Sequence, residues 1–449
     1  MRFEGGLLTP DTDGTGRLRL TGLPAGQQVH YRVTLEGDDG STSEAVTGVF
    51  RTAPSAAGDI RLQWSGDTAG QGYGINPDIG GMRIFDTMAA RDPHLFLHSG
   101  DVVYADGPLK ESVTLPDGRV WRNTVSEAKS AVAQTLDQYR GQYAYNLTDD
   151  NYRRFNSSVA QIVQWDDHET VNNWYPGEIL DLDAYTEKNV DVLAQRAFQA
   201  YHEWLPVEPA DAVDGRVYRK IGYGPLLDVF VLDMRTYKDA NGVNTGVAGQ
   251  ILGAAQKDWL IRELGASTAT WKIIANDLPL GVVVPDGDTA FEGVANGESG
   301  QPSGRESEIA RCCRRSRRGG SPGRCGSPRT CTTPPRTGTR PTAPRTRIST
   351  SSGSSSPVRS TRAVSVPTTS TPRSAPRPCS CTRRPHPTRR RSTDTSTSVR
   401  CSSTGRRRSC GWTSSTRPGR CSSVSCCRRR RADRLKQASL DLLDCSADR

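Results

Sequence analysis

Three short runs of this chain carry residue types suited to metal-assisted chemistry. They are Gly66-Asp67, Gly100-Asp101 with Tyr104 close behind, and Asp166-Asp167-His168-Glu169. Carboxylates, a phenol and an imidazole offer mostly hard oxygen donors, which suit a divalent or trivalent cation. Taken singly each run is ordinary. Gly-Asp is a common turn, an Asp-Asp-His-Glu run commonly opens a helix, and a lone tyrosine usually packs as an aromatic. Their meaning depends on whether the chain brings them together.

The elements around them do so. From Asp59 onward, short apolar runs alternate with helical patterns. Residues 60–64, 94–98, 160–165, 227–232 and 271–275 read as strands. Residues 81–91, 127–145, 191–204 and 250–264 read as helices, the second long and amphipathic. Such alternation predicts an α/β core, in which ligands gather at the carboxyl ends of strands. The first three strands end at Asp67, Asp101 and Asp166-Asp167. Three successive strands therefore deliver carboxylates to one sheet edge, two of them after a glycine that lets the backbone turn sharply. Arg235 and Asn276 end later strands, where each either contacts a phosphate or serves as a salt bridge and a turn residue respectively.

In that order, Gly66-Asp67, Gly100-Asp101-x-x-Tyr104 and Asp166-Asp167-His168-Glu169 resemble the calcineurin-like metallophosphoesterases. The form Trp165-Asp166-Asp167-His168-Glu169-x-x-Asn172-Asn173 resembles the alkaline phosphatase D family in particular. So do Leu232-Asp233-Met234-Arg235-Thr236-Tyr237 and Trp271-Lys272-Ile273-Ile274-Ala275-Asn276, and the likeness covers roughly residues 17–308. It implies a metallophosphoesterase-type layered core and hydrolysis of phosphate mono- or diesters. It also implies two metal ions, iron and calcium. Asp67 and Tyr104 would hold one, Asp101 would bridge both, and Asp167 would hold the second. His168 would donate a proton beside the substrate. Asp67 is a departure, because several members carry cysteine there, which leaves the first metal open. Family relatives commonly work outside the cytoplasm, yet residues 1–4 show neither a signal peptide nor a twin-arginine start.

Before residue 56 the pattern differs. Residues 17–21 and 29–35 alternate, turns fall at 23–26 and 37–40, and residues 49–54 close the unit. This reads as the last strands of a fibronectin-like β-sandwich, with the true start of the protein upstream.

After residue 308 it changes again. The 59 basic and 49 acidic side chains divide into 26 and 44 before Ile309, and 33 and 5 from there on. All 12 cysteines lie at Cys312 or later. That excludes a uniformly basic globular protein and a disulfide scaffold running through the whole chain. The expected domains are thus a partial β unit at 1–55, an incomplete core at 56–308, and a disordered Arg/Ser/Pro-rich tail at 309–449. Read literally, the tail is a basic arm for nucleic acid or an anionic membrane, but its cysteines and lack of interleaved aromatics argue against a specific nucleic-acid partner.

The same composition arises when GC-rich coding DNA is read out of frame. Joining the third base of each codon to the next two permits a hidden Asp-Val-His-Tyr run within residues 327–337. The offset also permits Asp-Phe-Asp-Glu-Phe-Trp within 347–363 and Gly-His-Val-Asp within 391–398. These resemble late motifs of the alkaline phosphatase D relatives, whose Asp-x-His segment supplies further imidazole ligands. A frame shift near residues 309–311 is the expectation. The chain as written has no histidine between His202 and His386, so impaired activity is expected. The alternatives to an enzyme are a nucleic-acid-binding protein acting through the tail and a non-catalytic α/β binding module.

Overall fold

The computed structural model describes residues 1–208, 216–246, 249–318, 345–350 and 435–443, with side chains described up to Cys313. Most of the 309–449 tail, and with it the expectation of disorder there, lies outside the described residues. The described residues fall within one compact unit. Among them no helix is long and apolar enough to cross a membrane.

The chain opens with β1 (Arg2–Glu4), β2 (Gln28–Gly37) and β3 (Val46–Arg51). Then follow β4 (Leu62–Ser65), α1 (Ile84–Ala89), β5 (Leu95–Ser99), β6 (Ser112–Thr114) and β7 (Val120–Arg122). Next come α2 (Leu136–Asn146), α3 (Asp150–Ser158), β8 (Ala160–Gln164) and α4 (Val190–Trp204). The last part holds β9 (Arg219–Tyr223), β10 (Leu227–Val231), α5 (Gly253–Ala266), β11 (Trp271–Asn276), β12 (Pro285–Asp286) and β13 (Ala290–Phe291). It ends with α6 (Glu306–Arg318), β14 (Arg345–Thr350) and β15 (Leu435–Leu443).

Two sheets carry the core. In one, β4, β5 and β8 run parallel. In the other, β10, β11 and β14 run parallel and β9 joins antiparallel. Alternate residues of each strand point to opposite faces, and the burial follows that rule. Leu95, Leu97 and Ile162 of the first sheet pack against Leu227, Val229, Val231 and Ala275 of the second. On the outer faces, Phe96 joins Phe85 and Phe155 from α1 and α3, and Val163 joins Leu193, Ala197 and Tyr201 from α4. Phe230 and Ile274 meet Trp259 and Leu260 of α5. Helices thus cover both outer faces of two stacked sheets, and strands buried on both sides read as continuous apolar runs. The expected mixed α/β layering is what the chain forms.

Several local expectations shift. Residues 17–21 are not a strand. Leu18 and Leu20 turn inward and Arg17 and Arg19 outward, but among the described residues no neighbouring strand pairs with them. The sheet at this end has the order β1-β15-β2-β3. The helix expected over 127–145 is broken: 127–129 is a 3-10 turn and α2 starts at Leu136. Thr135 and Gln138 form a reciprocal capping box there, which fixes the start. Nor is α2 one-sided, since Tyr139, Arg140, Gln142, Tyr143, Tyr145 and Asn146 are all buried.

Candidate metal centre

The carboxyl ends of β4, β5 and β8 meet at one edge, and two of the acids there adopt a costly backbone. Asp67 has φ 59° and Asp101 has φ 53°, the left-handed region that side chains avoid at a cost of order 1 kcal/mol. The two turns brace each other: Asp67 N donates to Gly100 O at 3.3 Å, and Thr68 N donates to Asp101 O at 2.9 Å. Gly100, at φ 99°, has to be glycine, because a Cβ there would lie 2.6 Å from the Asp166 Cβ. At the first strand Asp67 itself, rather than Gly66, takes the positive φ.

The expected donors converge. The Tyr104 hydroxyl donates to Asp67 Oδ1 at 2.6 Å and to Asp101 Oδ2 at 3.1 Å. Asp101, Asp167 and His168 are buried, and their ligand atoms lie within 4.8 Å of one another. The Tyr104 ring stacks on His168 with centroids 4.2 Å apart and planes 28° apart. Asp67 lies at the exposed side of the group. His168 therefore sits among candidate ligands as well as beside the cavity where a substrate would lie. That cavity, about 550 Å3, is lined by Gln71, Tyr104, Asp106, His168, Asn173 and Asp286 among others.

Charge in the group is lopsided. Burial, reinforced by Asp167, Asp166, Asp67 and Glu169, pushes the Asp101 carboxyl well above the ordinary range. Burial works on Asp167 as well, but Arg235 and His168 outweigh it and hold that carboxyl below its usual value. For His168, burial opposes the charged form, yet the carboxylates of Asp167 and Asp106 raise it to about 10. Crowded acids facing two cationic side chains, with a phenol between them, are a donor set that fits one or more hard cations.

Arg235 and Asn276 do not line the cavity at His168. Arg235 is fully buried, with Nε 2.5 Å from Asp166 Oδ1, Nη2 3.5 Å from Asp167 Oδ1, and Nη1 paired with Glu292. The Asn276 amide donates to Leu278 O at 2.7 Å. Their geometry is that of a buried ion pair and a turn residue.

Other residues do work that their types alone do not announce. Asp106 reaches His168 Nδ1 with both oxygens, at 2.8 and 2.9 Å, and accepts from Asn172 N at 2.8 Å. Its position two residues after Tyr104 was a usable signal. Glu169 accepts from Val102 N at 2.6 Å and Asp166 N at 2.8 Å, tying two strand-end loops together. Asp286 accepts from Asn173 Nδ2 and Asn241 Nδ2, each at 2.8 Å, at the rim of the cavity. Asp286 and Glu292 come from distant segments, so spacing in the sequence gives no hint of them.

Comparison with known proteins adds context. A family model described as PhoD-like phosphatase matches residues 62–319. Alkaline phosphatase D of Bacillus subtilis (strain 168) is 32% identical over 204 residues, which is 42% of this chain and 33% of that protein. The match therefore spans about a third of that relative's length. Among solved structures, one of PhoD is similar at 22% identity and a TM-score of 0.42, covering 65% of this chain and 64% of its own. Purple acid phosphatase PPD1 from yellow lupin (Lupinus luteus) seeds is similar at 13% identity and a TM-score of 0.38, covering 62% and 42% respectively.

Proposed function

From the premise that the chain belongs to the PhoD-like phosphatase family, we propose that its crevice is built for metal-dependent hydrolysis of phosphate esters. The observation that carries this is the convergence of Asp101, Asp167 and His168, with Tyr104 bonded to both Asp67 and Asp101. Asp67 and Tyr104 would hold one metal, Asp101 both, and Asp167 the other. A phenolate ligand favours iron and the carboxylates suit calcium. When bound, such a pair of cations activates water and offsets charge on the phosphoryl group.

The chain's own residues do the rest. His168, whose charged form the carboxylates of Asp167 and Asp106 favour, would hold a proton for a phosphate oxygen or the departing alcohol. Asp106 takes its Nδ1, which leaves Nε2 as the nitrogen able to donate. Arg235 fixes Asp166 and Asp167 from behind and so keeps the strand end in place. Glu169 does the same for the loop that carries Asp101.

The expected impairment belongs to the same proposal. The family match stops at residue 319, close to the change of composition at 309–311, which supports a shifted reading frame beyond that point. The late imidazole ligands would then be missing from the chain as written. Two measurements test the two halves. Elemental analysis should find bound metal that falls to background in Asp101→Ala; unchanged metal content would rule the crevice out. Sequencing the coding DNA across residues 300–449 should reveal an interrupted frame, and an uninterrupted one refutes the shift.

A further inference from the structure

The crevice opens on two sides. Gln71 and Tyr104 line both the cavity at His168 and a second cavity, also of about 550 Å3. The Tyr104 ring, which stacks on His168, also lies against Gly70, where a Cβ would fall 2.1 Å from it. The second cavity differs in kind. Ile79, Met82, Ile84, Met88 and Phe96 line it. So do Tyr73 and Trp121, whose rings meet edge to face at 5.8 Å. Ile79 is 45% exposed and Ile84 61%. Tyr73 is exposed as well, while Met82 and Met88 are half-buried and Phe96 is buried; exposed apolar side chains grouped along one groove mark a contact surface. The same groove is bounded by Asp67.

An apolar wall adjoining cation ligands matches one kind of molecule, with a phosphate at one end and a hydrocarbon at the other. We infer that this groove receives an apolar alkyl or aryl arm of the phosphate ester, while the cavity at His168 takes the polar side. The inference rests on the phosphoesterase reading and narrows it to amphiphilic esters. A free sugar phosphate would leave the groove wet and gain nothing from it. An alkyl arm gains about fourfold in affinity for each methylene moved out of water.

Calorimetric titration of the full chain, loaded with ferric and calcium ions, tests this with inorganic phosphate and with methyl, butyl and hexyl phosphate. Affinity should climb about fourfold per methylene along the alkyl series, and Ile79→Asn combined with Ile84→Asn should flatten it. Both substitutions fall at exposed positions, so the fold has little reason to object. A flat series, with phosphate still bound only when metal is present, overturns the groove and leaves the phosphoesterase reading standing. A climb that persists in the double variant sends the arm elsewhere and also overturns the groove. Phosphate binding that survives chelation overturns the reading beneath it. Failure to bind any of the four ligands by a chain that has taken up both metals overturns both.

Discussion

At the scale of single residues, the crevice trades stability for ligands. Asp101 is 1% exposed and surrounded by four other acids, an arrangement that costs energy until a cation joins it. Asp101→Asn keeps the shape, and its side-chain oxygen can still accept from His168 N. Without metal this variant should be more stable than the parent by about 1 kcal/mol, read as a higher urea midpoint. It should also lose the stabilisation that added metal gives the parent. A lower midpoint would mean that the acid cluster is not a repulsive one. His98 gives a separate prediction. Burial lowers it to about 4, and its Nε2 lies 2.7 Å from Thr68 Oγ1. Its ordinary value is about 6.5. In the unfolded chain it therefore binds a proton below pH 6.5 that the folded chain resists, so stability falls with acidification from about 6.5 down to 4. The full loss is roughly 3 kcal/mol. Urea midpoints at pH 7.5 and 5 should differ less in His98→Gln; an unchanged difference assigns the acid sensitivity to other groups.

At the scale of elements, strands and the acids at their ends were legible because period-2 burial and strand-end turns are local. β5, β8, β10 and β11 fall within a residue or so of expectation. Helix boundaries were less legible. The break before α2 depends on the Thr135–Gln138 capping box, which competes with the apolar residues upstream. The short helix α3 starts from Asp149, whose side chain accepts from Tyr152 N, and its signal is two aromatics three residues apart. If the box sets the start of α2, Thr135→Ala should cost about 1 kcal/mol in a urea titration. No change would mean that packing alone fixes the start. Pairings such as Asp166–Arg235 were illegible for another reason. They join strand ends of different sheets, whose approach depends on how the sheets stack, which no spacing along the chain encodes.

At the scale of the whole molecule, the sharp change in charge at residue 309 has a chemical consequence. The residues before it carry 44 acidic and 26 basic side chains, and they hold the whole of the candidate centre. Under the proposed frame shift, the further imidazole ligands that family resemblance implies would lie beyond it. The central claim is that the crevice hydrolyses phosphate esters only with metal held through Asp101, and that the literal chain is impaired for want of its last ligands. The most direct measurement is p-nitrophenyl phosphate hydrolysis by a chain translated from the restored frame, with the 449-residue chain alongside. The restored chain should hydrolyse the ester, lose that activity to a chelator and to Asp101→Ala, and exceed the literal chain by orders of magnitude. Hydrolysis untouched by chelation and by Asp101→Ala, or equal rates from the two chains, would contradict the claim.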